Sequence, residues 1–282
     1  GYPGYTGVIP QSTATISKIL QDNGYSTAWI GKNHNVPDFT VNNVGPFTHW
    51  PNAMGFDYFY GFLCGEMDQW YPALFENQNV VKNLPTPEEG YNLQVDQTDK
   101  AIQWMRNQNS IAPDRPFFLY YADFLVHKPF EAKRQYLKHF GEKPTSQYQR
   151  SPMAAAMIKS LDDSVGKIMN ALDECGESDN TLFVFTSDNG GLSYEEDGQK
   201  DANTSNLPLR GRKGSEYDGG IRVPWIVRWP GKTPAGVSCH VPIHHVDLFP
   251  TFLAVARGAR PPQTLHGVDL TQLFQAPNQG LA

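Results

Sequence analysis

The feature that most constrains this chain is an alternation of two hydrophobic periods. Residues 12–23 place Ile16, Ile19 and Leu20 on one helical face, with Ser12 or Thr13 as cap and Gly24 as stop. A β-prone run, YSTAWIG (25–31), follows at once. The pattern recurs with a helix at 96–109 around Ile102 and Met105, then the aromatic run RPFFLYYA (115–122), read as a buried strand. The longest helix is expected at about 153–175, where Met157, Ile158, Leu161, Val165, Ile168, Met169 and Leu172 step by three and four and Gly176 suits a left-handed cap. TLFVFTS (181–187) is apolar on both faces and reads as a fully buried strand, VPWIVRW (223–229) as another, and 247–256 as a short helix. Helices between buried strands require crossovers, which gives an α/β fold with a largely parallel central sheet and helices on both faces.

Two stretches, 35–95 and 190–222, lack periodicity and are rich in Gly, Pro, Asn and aromatics; loops of this length carry function or insertions. Trp50, Trp70 and Tyr71 in the first are either a stacking surface or core. With no internal repeat and no low-complexity linker, residues 1–282 read as one domain.

Charge narrows the partners. A formal net charge of −6 excludes the basic face a nucleic-acid binder needs, so an anionic substrate must be drawn in by local cations. No apolar run approaches the roughly 18 residues of a membrane-spanning helix. Cys64, Cys175 and Cys239 form no CxxC pair, which argues against zinc and allows at most one disulfide. The sequon Asn203-Thr204-Ser205 is too short to assign a secretory route.

Chemistry collects where the strands end. The first runs into Gly31-Lys32-Asn33-His34-Asn35, the second into Asp123 and His127-Lys128-Pro129, the third into Ser187-Asp188-Asn189-Gly190-Gly191. In open α/β sheets ligands bind beyond the carboxyl ends of the strands. Asp188 and Asn189 offer oxygen ligands suited to Ca²⁺ or Mg²⁺, although a plain turn has the same composition and calcium takes 6 to 8 oxygens. Lys32 suits an anion and His34 a proton shuttle. Leu209-Arg210-Gly211-Arg212-Lys213-Gly214 is either a cationic site loop or a solvated turn. His244-His245-x-Asp247 suggests a metal site, but Asp247 stands where it caps the next helix, and the structural role is preferred.

Taken in order, these segments resemble the sulfatase family of the alkaline-phosphatase superfamily over essentially the whole chain. GYSTAWIGKNH resembles the family's GYxTxxxGKWH, with Asn33 where Trp is commoner, and TLFVFTSDNGG its TxxxFTSDNGG. LRGRKGSEYDGGIRVPWIVRWPG resembles LRGGKGxxxEGGIRVPxxxxWPG, and HHVDLFPTFLAVARG with LHGVDLTQLF resembles the closing segment. The GYPGYTGVIP opening is most similar to bacterial arylsulfatase-type members.

The resemblance implies a sulfuric ester hydrolase acting on a small-molecule or glycan sulfate ester. Asp188 and Asn189 would ligate a divalent cation, calcium most often, with magnesium as the alternative. Lys32 and Lys213 would contact sulfate oxygens, His34 would bond the nucleophile and act as its base, and His127 would assist the leaving group. The family nucleophile is a formylglycine made within C/S-x-P/A-x-R, a pattern no Cys or Ser of this sequence opens. The nucleophile and first-strand ligands are therefore expected before Gly1, and the small C-terminal sheet after Ala282. The chain alone is expected to be inactive, and a periplasmic or secreted location is implied. Departures are Arg212 for Gly, Asp218 for Glu and His266 for Asp. The competing readings are a phosphonate monoester hydrolase or phosphodiesterase of the same superfamily, and a non-catalytic protein that binds sulfated glycans.

Overall fold

The computed structural model describes residues 8–144, 148–193, 204–258 and 261–277. In chain order its elements are α1 (Ile16–Asp22), β1 (Ser26–Lys32), β2 (Tyr58–Phe62), β3 (Phe75–Glu76), β4 (Asn79–Val80), α2 (Leu93–Ile111), β5 (Phe117–Ala122), α3 (Arg134–Gly141), α4 (Pro152–Glu174), β6 (Phe183–Thr186), α5 (Asp218–Ile221), β7 (Trp225–Arg228), α6 (Leu248–Val255) and α7 (Thr271–Gln275). The opening GYPGYTG and Asn203 of the sequon lie outside the described residues. These elements form two compact units: residues 1–124, 167–177 and 234–282, and residues 125–166 and 178–233.

The first unit is built on a five-stranded sheet in the order β4-β3-β2-β1-β5. β1 pairs parallel with both β2 and β5, while β3 and β4 add an antiparallel edge. Side chains alternate across a strand, so β5 serves two layers. Phe117 meets Trp104 of α2, and Phe118 meets Phe252 of α6, which places helices on both faces as expected. The core beside β1 is aromatic: Trp29, Trp50, Phe56 and Phe59 are buried, with Trp29 and Trp50 in edge-to-face pairs with Phe56 and Phe75 at 5.2 and 5.0 Å. On the α2 side, half-buried Asp96 accepts from Tyr60 Oη (2.5 Å) and Tyr91 Oη (3.1 Å).

Several expectations need correction. The cap of α1 is Thr15, which accepts the Lys18 N–H at 3.1 Å, because Ser12 and Thr13 fall before the helix begins. The stretch 35–95 contains the buried strand β2, whose YFYGF run shows neither a helical nor an alternating pattern. β5 is only half-buried, with Tyr120 45% exposed. Ile158 is exposed, about a quarter-turn off the buried stripe of α4 that includes Met157, Ser164, Ile168 and Leu172. α4 ends as read, at Gly176 with φ 72°, where Glu177 N–H bonds Leu172 O at 2.9 Å.

In the second unit β6 pairs antiparallel with β7 in a two-stranded ladder. A strand covered on so few sides cannot be fully buried, and all four residues of β6 are half-buried. α3 is tied to α4 through Tyr136 and Asp163. Among the described residues, no helix is long and apolar enough to cross a membrane.

Candidate active site

The first unit carries Lys32 and His34. They leave the sheet in register with β2, Lys32 opposite Phe62, and Asn33 N–H continues the ladder to Phe62 O at 2.9 Å. This close passage depends on glycine: a Cβ on Gly31 would lie 2.1 Å from Ala122 O, and one on Gly61 would lie 1.9 Å from Gly31 O. Asn33 is buried and its Oδ1 accepts the Asn35 N–H at 2.8 Å, which fixes the turn that presents His34. The His34 ring lies against Gly65, where a Cβ would come 2.8 Å from Cε1. Cys64, beside it, bonds Glu66 O through Sγ at 2.9 Å. Burial raises the Cys64 thiol pKa, opposed by that hydrogen bond and by the Lys32 charge.

The second unit, taken by itself, carries His127, Asp188, Asn189 and Lys213. The Ser187–Gly191 turn after β6 and the 206–220 loop are joined backbone to backbone. Gly190 N–H bonds Gly220 O at 2.8 Å, Lys213 N–H bonds Gly191 O at 3.0 Å, and Asn206 Nδ2 donates to both Gly191 O and Gly211 O. A Cβ on Gly190 would fall 1.9 Å from Gly219 O, one on Gly219 2.1 Å from Gly211 O, and one on Gly220 2.2 Å from Ser215 O. Lys213 is thereby anchored to the turn that carries Asp188 and Asn189. Arg210 stacks over Tyr217, 3.7 Å from the ring centroid, and the Arg212 backbone N–H bonds Ser215 Oγ at 3.0 Å.

Asn189 Nδ2 donates to Gly190 O at 3.0 Å, which leaves the amide oxygen to act as a ligand beside the Asp188 carboxylate. These two oxygens suit a hard cation but fall well short of its full shell. Among the described residues, no group of three or more His, Cys, Asp or Glu is placed to hold a metal ion. His127 Nδ1 lies 2.9 Å from Lys128 O. A carbonyl only accepts, so Nδ1 carries the hydrogen of this contact.

Other motifs are structural. Asp247 is buried, accepting His244 N–H at 2.7 Å and Val268 N–H at 2.9 Å, while His244 Nδ1 accepts Val246 N–H. The three cysteines are free thiols. Trp50 is core, whereas Tyr71 is 68% exposed. Asn206 carries no motif of its own; the glycine doublets Gly190-Gly191 and Gly219-Gly220 are the sequence trace of two backbones that meet there.

Comparison with known proteins agrees with this architecture. Crystal structures of Ps i-CgsB, one of them in complex with k-i-k-neocarrahexaose, match with TM-scores of 0.80 and 0.79 at 29% identity, covering 96% of this chain and 59% of theirs. The fold is therefore alkaline-phosphatase-like α/β. A family model described as Sulfatase matches residues 2–259, and the chain belongs to the sulfatase family. It is 31% identical over 270 residues to Arylsulfatase J of Mus musculus, covering 91% of this chain and 41% of the relative. It is 33% identical over 295 residues to the uncharacterized sulfatase YdeN of Escherichia coli strain K12, covering 96% and 49%. The chain spans about half the length of the curated relatives it matches.

Proposed function

We propose that this chain forms the larger part of the catalytic domain of a sulfuric ester hydrolase acting on sulfate monoesters of small molecules or glycans. The observation that carries this reading is the glycine-packed junction that ties Lys213 to the Asp188-Asn189 turn. A turn that merely reversed the chain would not need a second loop fitted onto it without room for a Cβ.

Sulfuryl transfer spreads negative charge over the non-bridging and leaving oxygens, and fixed cations stabilise it where it develops. Lys32 and Lys213 bind the sulfate oxygens. His34 hydrogen-bonds the nucleophile and serves as base in the second half of the reaction. His127, held by its Nδ1 contact, delivers a proton from Nε2 to the departing oxygen. Asp188 and Asn189 would hold a divalent cation, calcium in the first instance, with further oxygens from elsewhere. When bound, it adds Lewis-acid charge stabilisation. The nucleophile of this reading is a formylglycine, and none of the Cys or Ser of these 282 residues opens C/S-x-P/A-x-R. Ps i-CgsB was solved with an oligosaccharide, which supports a glycan ester as substrate.

The test is hydrolysis of 4-nitrophenyl sulfate against the matching phosphate mono- and diesters by the full-length protein. Sulfate turnover is expected to dominate, with Lys213→Ala lowering kcat/KM by about 10²–10³ and His127→Ala by about 10²–10⁴. Residues 1–282 alone are expected to turn over nothing. Preference for the phosphate diester, or turnover by this segment alone, refutes the respective claim.

A further inference from the structure

The loop that carries Lys213 has no helix or strand to hold it. From Thr204 to Tyr217 the chain runs through turns alone, and the Leu207 side chain is 50% exposed, so it is no apolar anchor. The turn that carries Asp188 and Asn189 differs, because it continues directly from β6. Whatever fixes the first against the second sets where the Lys213 ammonium can reach.

One side chain spans the junction. Asn206 Nδ2 donates to Gly191 O at 2.8 Å and to Gly211 O at 3.1 Å. Carbonyl oxygens only accept, so the group that faces both is the NH₂, and its two hydrogens match its two acceptors. Gly191 O also accepts the Lys213 N–H at 3.0 Å, which makes the amide and Lys213 sharers of one acceptor. Asn189 stands two residues before Gly191, and Lys213 two residues after Gly211. Asn206 is braced in turn. Its carbonyl accepts Leu209 N–H at 2.8 Å, and the carbonyl of buried Ser205 before it accepts Gln149 Nε2 at 2.8 Å. Its Oδ1 lies where a side chain on Gly191 would go, 2.8 Å from an added Cβ.

We propose that Asn206 is a positioning residue of the sulfate site: its amide carries the placement of the β6 turn over to the Lys213 loop and so fixes the lysine before substrate arrives. A lysine ammonium rides on a flexible four-carbon stem, and it stabilises developing charge without reorganisation only if its backbone is set in advance. What Lys213 binds rests on the sulfatase reading; how it is held rests on the bonds above.

The experiment uses the full-length protein and 4-nitrophenyl sulfate. Asn206→Leu keeps the approximate shape, adds no charge and removes both donors. It is expected to lower kcat/KM by about 5- to 150-fold, the range two hydrogen bonds of this kind are worth. Asn206→Ser, with one donor left, is expected to lose less, and it serves if the leucine variant does not fold. Combined with Lys213→Ala, either variant is expected to cost no more than about twofold beyond Lys213→Ala alone, because a residue that acts through Lys213 has nothing left to position. A merely structural role would instead multiply the two losses. Hydrogen–deuterium exchange of the peptide that covers Lys213 reads the clamp without catalysis; exchange is expected to quicken in the Asn206 variants. Unchanged exchange and kcat/KM in folded variants, or losses that multiply, overturn the proposal. Quickened exchange in a protein whose wild type does not hydrolyse the sulfate ester overturns the sulfatase reading and leaves the clamp standing.

Discussion

The two units place chemical groups by different means. In the first, Lys32 and His34 inherit their positions from a buried parallel ladder, so the hydrophobic core and the site share one support. In the second, Lys213 and the Asp188-Asn189 turn are held by peptide groups and by glycines whose missing Cβ lets two loops touch. The first arrangement can be lost only with the fold. The second can be lost alone, because little apolar surface depends on it.

Truncation of the core should show the largest effect. Trp50 is fully buried and packs edge-to-face with Phe47 and Phe75. Trp50→Ala should cost about 3–5 kcal/mol in urea unfolding. Activity should fall only in step with the folded fraction; an activity loss in protein that remains folded would count against the distinction.

Gly190→Ala should show the opposite division. Its Cβ would strike Gly219 O, at an overpacking cost of about 1–3 kcal/mol. Sulfate ester turnover should nevertheless fall as far as in Lys213→Ala. Gly166→Ala in α4 is the control, since nothing lies within 4 Å of the added carbon. It should raise stability by about 0.5–1 kcal/mol. If Gly190→Ala behaves like this control, the loop junction does not hold the site.

The smallest effect is a slope. Burial raises the Asp96 pKa above its ordinary value; the hydrogen bonds from Tyr60 and Tyr91 and the Lys100 charge oppose the shift without cancelling it. The folded chain therefore holds this proton more tightly than the unfolded chain does. Its contribution to stability is complete below the ordinary carboxylate pKa and is lost as pH rises through the raised value. Urea midpoints measured upward from pH 4 should lose that decline in Asp96→Asn; an identical slope in the variant would show that other groups carry it.

The same contrast explains what was legible in the sequence. β1, α4 and α6 were readable because burial of one stripe or of both faces leaves a period in the residue types. β2 was hidden because Tyr58–Phe62 is a short aromatic run between irregular segments, and its aromatic identity fits loop, helix or strand. Burial of β5 and β6 was overestimated because composition reports apolarity, whereas exposure depends on which neighbours cover a strand. At the site, Lys32, His34, Asp188 and Asn189 stood out by following strands. Asn206 did not, since its partners are carbonyl oxygens, which every residue has.

The Lys32–Phe62 register also restricts where the gene can lengthen. Successive strand residues face opposite sides of a sheet, so one codon added within Ser26–Lys32 would turn Lys32 and His34 over together, whatever its identity. Insertions near this edge are tolerable only beyond Asn35, so diversity among relatives in substrate choice should accumulate there, downstream of a segment whose length cannot change.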